Sequence, residues 1–182
     1  MSREVECKTR IPDSSVDGLK RKLSLHFAEE AVSVRKEDVY FAADGTELLF
    51  RVRSDGRDVF ITRKARQTRG DGVEVNEEIE FSSHASELAS VERFFLSLGY
   101  GRAIEKRKNG WAWYRGDLTA ELVRVTGLGW FLELEFLLPD EAPDELVGQA
   151  AGKLEELRTA LGVRELPLES RYYVEMLKDL EH

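Results

Sequence analysis

The sequence holds a single cysteine, Cys7. An internal disulfide is excluded, and a cysteine-based zinc site is not expected. Histidine is scarce too, at three residues. Of these, His26 and His84 fall in or beside expected helices and read as surface residues rather than ligands. No long apolar run occurs and no signal-peptide core follows Met1, so neither a membrane span nor a secretory leader is expected. Positive charge is in deficit: 27 Lys and Arg stand against 35 Asp and Glu, a formal net charge of −8. That balance argues against nucleic-acid binding and makes any anionic ligand depend on a local basic site. No Gly-rich loop of the Walker type is present, so P-loop chemistry is excluded.

What remains is a cytoplasmic, globular chain. Its 182 residues, 42% hydrophobic and 34% charged, suit one domain with a real core. We place that domain over residues 1–179 and read Leu180-Glu181-His182 as the stub of a purification tag.

The first strand is Glu4-Val5-Glu6-Cys7-Lys8. Alternation puts Glu4, Glu6 and Lys8 on one face, and Val5, Cys7 and Thr9 on the other. Carboxylates at i and i+2 lie roughly 6.5–7 Å apart, a spacing that suits two arms of a divalent-cation site. Pro12 to Ser15 opens a helix whose Val16, Leu19, Leu23 and Phe27 form one apolar stripe. A second strand spans 31–42 and ends Asp38-Val39-Tyr40-Phe41, before a turn at Ala43-Asp44-Gly45-Thr46. Strand three, Glu47 to Ser54, presents Arg51 and Arg53, and Asp55-Gly56 makes a tight hairpin. Strand four, Asp58 to Ala65, presents Thr62 and Lys64. Residues 66–72 read as a loop from which Arg66 and Arg69 could reach over a site. Strand five, Val73 to Phe81, presents Glu78 and Glu80. Ser82 to Gly99 reads as a helix with Leu88, Val91, Phe95 and Leu98 in line. Strand six starts at Tyr100 and presents Lys106 and Lys108, with a bulge expected at Asn109-Gly110 that leaves the facing of Trp111 and Trp113 open. Strand seven spans Leu118 to Thr126. Strand eight puts Phe131, Glu133 and Glu135 opposite Leu132, Leu134 and Phe136. A helix follows Pro143 with Leu146, Ala150, Leu154, Leu157 and Leu161 in line, and a last helix spans Ser170 to Leu180.

Taken one at a time, these charged strand faces are what water would see. Two features argue otherwise. The helices need an apolar surface to pack on, which leaves the charged face on the far side of the sheet. The doubled charges also share one sign within each strand, whereas a surface built for solubility mixes signs. The expected fold is therefore α+β: an eight-stranded antiparallel barrel, closed on itself, with helices outside and charges lining a tunnel. Carboxylates without histidine or cysteine select a hard cation, Mg²⁺ or Mn²⁺. Facing bases select a polyanion with several phosphates. Trp111, Trp113 and Trp130 read as packing or rim aromatics, and the two Arg-Gly-Asp tripeptides read as turns. A homodimer is left open.

The ordered set of motifs resembles the CYTH superfamily, the triphosphate tunnel metalloenzymes, closest to the class IV adenylyl cyclase (CyaB-like) branch. Glu4-Val5-Glu6-Cys7-Lys8 matches the ExExK signature. Asp38-Val39-Tyr40-Phe41, Leu49-Phe50-Arg51-Val52-Arg53, Thr62-Arg63-Lys64, Glu78-Ile79-Glu80, Lys106-Arg107-Lys108, the run from Gly127 to Glu135 and Tyr173-Val174-Glu175-Met176-Leu177 follow in family order. The resemblance implies a closed eight-stranded tunnel that binds a small-molecule triphosphate with divalent metal. It departs where the branch carries Leu-Asp-x-Val: here Leu122-Val123-Arg124-Val125 puts Val123 in the aspartate's place, with Glu121 one step back on the same face. It departs again after strand four, where Ala65-Arg66 replaces Gly-Pro.

Carried onto this chain, the metal ligands are Glu4, Glu6, Glu133 and Glu135, with Glu78 and Glu80 as further candidates. The phosphate ligands are Lys8, Arg51, Arg53, Lys64, Lys106 and Lys108, and resemblance to thiamine triphosphatase suggests Tyr40 and Lys64 as helpers in activating water. Three activities fit: triphosphate hydrolysis, which asks least of the tunnel; cyclisation of ATP to cyclic AMP and pyrophosphate; and polyphosphate binding without turnover.

Overall fold

In a computed structural model, the backbone is described for residues 2–43, 50–54, 57–68 and 73–180, and side chains at 2, 64–68 and 77 are not described. The turn at 43–46, the start of strand three, the Asp55-Gly56 hairpin, Arg66, Arg69, the Lys64 side chain and the last two residues therefore lie wholly or partly outside the described residues.

The chain runs β1 (Ser2–Ile11), α1 (Val16–Phe27), β2 (Val32–Ala43), β3 (Phe50–Ser54), β4 (Asp58–Thr68), β5 (Glu74–His84), α2 (Leu88–Ser97), β6 (Tyr100–Arg115), β7 (Leu118–Val125), β8 (Gly129–Pro139), α3 (Asp144–Leu161) and α4 (Tyr173–Lys178). The strands form a closed barrel in the order β1-β5-β4-β3-β2-β6-β7-β8, every pairing antiparallel. The expected tunnel architecture is the observed one.

Alternation along the strands sends apolar residues outward to the helices. The main core joins Val5, Cys7, Trp113, Leu122, Leu132 and Leu134 of the barrel's outer face to Leu19 and Leu23 of α1 and Val147, Leu154 and Leu161 of α3. Burial pushes the Cys7 thiol up to about 12, so it stays a neutral packing group. A second, smaller core gathers Phe41, Val52, Val59 and Ile61 under Leu88, Val91 and Phe95 of α2. No described helix is long and apolar enough to cross a membrane.

Several boundaries differ from the sequence reading. Residues 66–68 continue β4 instead of opening a loop. The helix expected from Ser82 begins only after His84, whose Nδ1 accepts the Ser86 N–H at 3.3 Å and starts a 3₁₀ turn that leads into α2. Leu98 of its stripe is exposed. On α3 the inward residue is Val147, and Leu146 turns out toward solvent. The last helix is only six residues, because Arg171 and Glu169 pair ahead of it and Tyr172 remains extended.

The bulge also sits elsewhere. β2–β6 register shifts between Tyr40 and Phe41, leaving Ala103 as the extra residue, while pairing runs unbroken through Asn109 and Gly110. Gly110 instead serves close approach: a Cβ there would clash with the Leu122 carbonyl and lie 2.8 Å from Val123 Cα. The tryptophan facing is thereby fixed. Trp113 is buried outside the barrel, with Nε1–H donating to Ser24 Oγ at 3.1 Å. Trp111 stacks on Trp130 at 5.6 Å.

Candidate functional site

The inward face of the strands lines a cavity of about 730 Å³, to which Tyr172 and Tyr173 of the C-terminal segment also contribute. Alternation decides its lining. Glu4, Glu6 and Lys8 enter from β1, Tyr40 from β2, Arg51 and Arg53 from β3, Glu78 and Glu80 from β5, Lys106 and Lys108 from β6, and Glu133 and Glu135 from β8. All the expected ligands with described side chains thus share one chamber. Lys64 lies opposite Glu78 in the β4–β5 ladder.

Within the chamber the charges divide into three groups. In the first, Glu6 and Glu135 are direct cross-strand partners. One oxygen from each of Glu4, Glu6 and Glu135 lies within 4.8 Å of the others, close enough to share one ion. Three hard oxygen donors with no nitrogen or sulfur fit Mg²⁺ or Mn²⁺.

The second group centres on Asp38, whose side chain is fully buried. Arg53 donates to both its oxygens, at 2.6 and 3.0 Å, and Lys106 lies at 2.7 Å. Burial works to raise this carboxyl, but Lys106 and Arg53 outweigh it and hold it well below the ordinary range. Lys106 also donates to the Tyr40 hydroxyl at 3.0 Å. Burial opposes ionisation of that phenol, yet the Lys106 charge prevails and lowers it. Arg51 donates to Thr62 Oγ1 at 3.0 Å, and Thr62 donates to Glu80 at 2.7 Å.

The third group lies where the C-terminal segment closes in. Lys108 donates to both Glu133 oxygens, at 2.7 and 2.9 Å, and stands 3.1 Å from Glu121. Lys36 donates to Glu121. The Tyr173 hydroxyl donates to Glu133 at 2.5 Å. Burial raises the Glu133 carboxyl, but Lys108 and this hydroxyl more than reverse the effect and hold it low. Burial and the nearby Glu133 charge push the Tyr173 phenol well above its usual value. The Tyr173 ring sits 5.1, 5.5 and 5.6 Å from the ammonium groups of Lys8, Lys106 and Lys108. Lys8 also pairs with Glu74 at 3.3 Å, both side chains almost wholly buried.

The metal-ligand expectation therefore separates in space. Glu4, Glu6 and Glu135 converge, whereas Glu133 faces Lys108 and Tyr173, and Glu80 faces Thr62 and Arg51. Glu78 lies buried on the same lumen face. Val123 packs in an apolar cluster with Val34 and Ala112. Sequence reasoning missed Lys36, Glu74, Asn76 and the inward role of Tyr172 and Tyr173, and named Asp38 only within a motif. Alternation carried further along β2 and β5 finds the first three, Lys36 two residues before Asp38, and Asn76 and Glu74 two and four before Glu78. The tyrosines come from a segment whose reach across the barrel has no local signature.

The chain matches the CYTH domain over residues 2–173. It is 31% identical over 145 residues to "Putative adenylate cyclase" of Methanocaldococcus jannaschii, covering 75% of this chain and 78% of that one. It is 28% identical over 179 residues to the adenylate cyclase CyaB of Aeromonas hydrophila, covering 93% and 86%. Among solved structures, a "Putative adenylyl cyclase" from Hippeastrum, said to reveal a dominant triphosphatase activity, superposes with a TM-score of 0.62 at 16% identity, covering 98% of this chain and 96% of that one.

Proposed function

The chain belongs to the CYTH domain family, and from that premise we propose that it is a divalent-metal-dependent enzyme that hydrolyses a small triphosphate inside its barrel. The observation that carries this reading is one cavity in which three carboxylates converge opposite a bank of lysines and arginines. Most of those bases already face an acid. A polyphosphate arriving without a counter-cation would lose as much to the carboxylates as it gained from the bases. It is better bound with a divalent cation, which supplies charge neutralisation and polarises phosphorus.

The chain's own residues do the rest. Arg51 offers a planar guanidinium to phosphate oxygens, Arg53 the N–H groups that Asp38 leaves it, and Lys8, Lys106 and Lys108 offer point charges. Together they stabilise charge that grows on the leaving oxygens. Tyr40, with its phenol lowered by Lys106, and Lys64 hold the attacking water. The water oxygen bonds to the terminal phosphorus and its proton passes to a phosphate oxygen, the bridging P–O bond breaks with its electron pair staying on the bridging oxygen, and orthophosphate and the chain shortened by one phosphate are released.

A second reading, cyclisation of ATP, is favoured by the names of the two curated relatives. Hydrolysis ranks first because it asks least of the tunnel, a cation, bases and water, and because Val123 stands where the cyclase branch carries an aspartate. Incubation with Mg²⁺ or Mn²⁺ and ATP, tripolyphosphate or thiamine triphosphate separates the readings. Orthophosphate supports hydrolysis, cyclic AMP with pyrophosphate supports the cyclase, and tight binding without turnover supports a binding module. Glu4→Gln is expected to abolish metal-dependent turnover; full activity in that variant would remove the metal assignment.

A further inference from the structure

Glu121 and Glu133 are direct cross-strand partners on β7 and β8. Both turn into the barrel, with side chains 7% and 12% exposed. Two carboxylates placed so close away from water cannot both stay ionised without a cation between them. The chain supplies two. Lys108 spans both acids, and Lys36 meets Glu121 from the other side. Lys36 and Lys108 are themselves cross-strand partners on β2 and β6. The four groups form a charge-balanced quartet.

We infer that Lys36 is a tethered cation for the Glu121–Glu133 pair, closing that pair to a divalent ion and leaving the tunnel one metal site, at Glu4, Glu6 and Glu135. The inference rests on the metal reading proposed above. A lysine fixed on a neighbouring strand competes at an effective concentration of at least roughly millimolar, which free Mg²⁺ or Mn²⁺ must overcome. The walls beside the quartet also disfavour a hydrated ion. Val34 stands two residues before Lys36, Val123 two after Glu121, and with Ala112 they form a buried apolar cluster. A hard cation seeks about six oxygens, and that wall offers none from side chains. The substitution at Val123 and the presence of Lys36 thus act together.

The test is Mn²⁺ binding by the protein alone, with free Mn²⁺ counted by electron paramagnetic resonance after equilibrium dialysis. Wild type and Lys36→Arg are expected to take up about one ion per chain. Lys36→Met is expected to take up about two, the second being lost again when Glu121→Gln is added. Lys36 is partly exposed, and thermal unfolding of each variant checks that it is folded. Wild type binding two ions, or Lys36→Met staying at one, overturns the inference and leaves the metal reading standing. No ion in wild type, or full retention of the ion in Glu4→Gln, overturns the metal reading and the inference with it.

Discussion

Asp38→Asn tests the charge network most directly. Asp38 is sealed from solvent and is the shared acid for Arg53 and Lys106. Asparagine keeps the shape and one acceptor oxygen. It turns an amide N–H₂ toward a cation and leaves two buried positive charges without their counterion. Removing one partner of a buried ion pair costs about 3–5 kcal/mol. The retained oxygen keeps the expectation near the lower end, about 3 kcal/mol, and for a chain of this size that lowers Tm by about 6–12 °C. Far-ultraviolet circular dichroism during heating reads the change. The Asp38 carboxyl is held lower in the folded chain than in the unfolded one, so the gap between variant and wild type is full above about pH 4. It closes only as pH falls through the folded value. Tripolyphosphate with Mg²⁺ should raise the Tm of the variant by more than that of wild type, because two cations have been released to bind it. A variant that melts within about 2 °C of wild type, with the same response to ligand, would refute the idea that Asp38 restrains those cations.

Tyr173→Phe removes a hydroxyl donor to an ionised carboxylate and is expected to cost about 1.5–3 kcal/mol in urea unfolding; no loss would mean that the Glu133 contact contributes nothing. Gly110→Ala places a methyl group against the backbone of β7, where no side chain can rotate away, and a cost of about 3 kcal/mol is expected in the same assay. Asp38, Glu121 and Glu133 are all held below the usual carboxylate range by their basic partners. Their stabilisation is present above the unfolded values and is lost as pH falls through the folded ones, so unfolding free energy should stay nearly level from neutral pH to about 5 and fall below about 4. A steep loss already between pH 7 and 5 would contradict the assignment.

Most of the fold was legible because alternation on strands and the helical stripes agree about which side is apolar. Val16, Leu19, Leu23 and Phe27 are the buried residues of α1, as their spacing predicts. Glu133 and Glu135 face inward opposite Leu132 and Leu134 for the same reason. Pairings between distant segments were not legible. That Glu133 meets Lys108 while Glu135 meets the acids of β1 depends on register and barrel shear, which one strand's pattern does not encode. The apparent bulge at Asn109-Gly110 misled because glycine in a strand marks either a bulge or a close backbone contact, and only the neighbouring strand decides which.

One aromatic ring standing among three ammonium groups bears on how any ligand binds. A phenol face is a weak, uncharged counterion, worth about 0.5–2 kcal/mol per cation, and it leaves the positive charge of Lys8, Lys106 and Lys108 intact. An anion that binds all three shares their charge with that ring. The tail's seat on the barrel and the tunnel's basic wall are thus built from the same side chains, Tyr173 serving both.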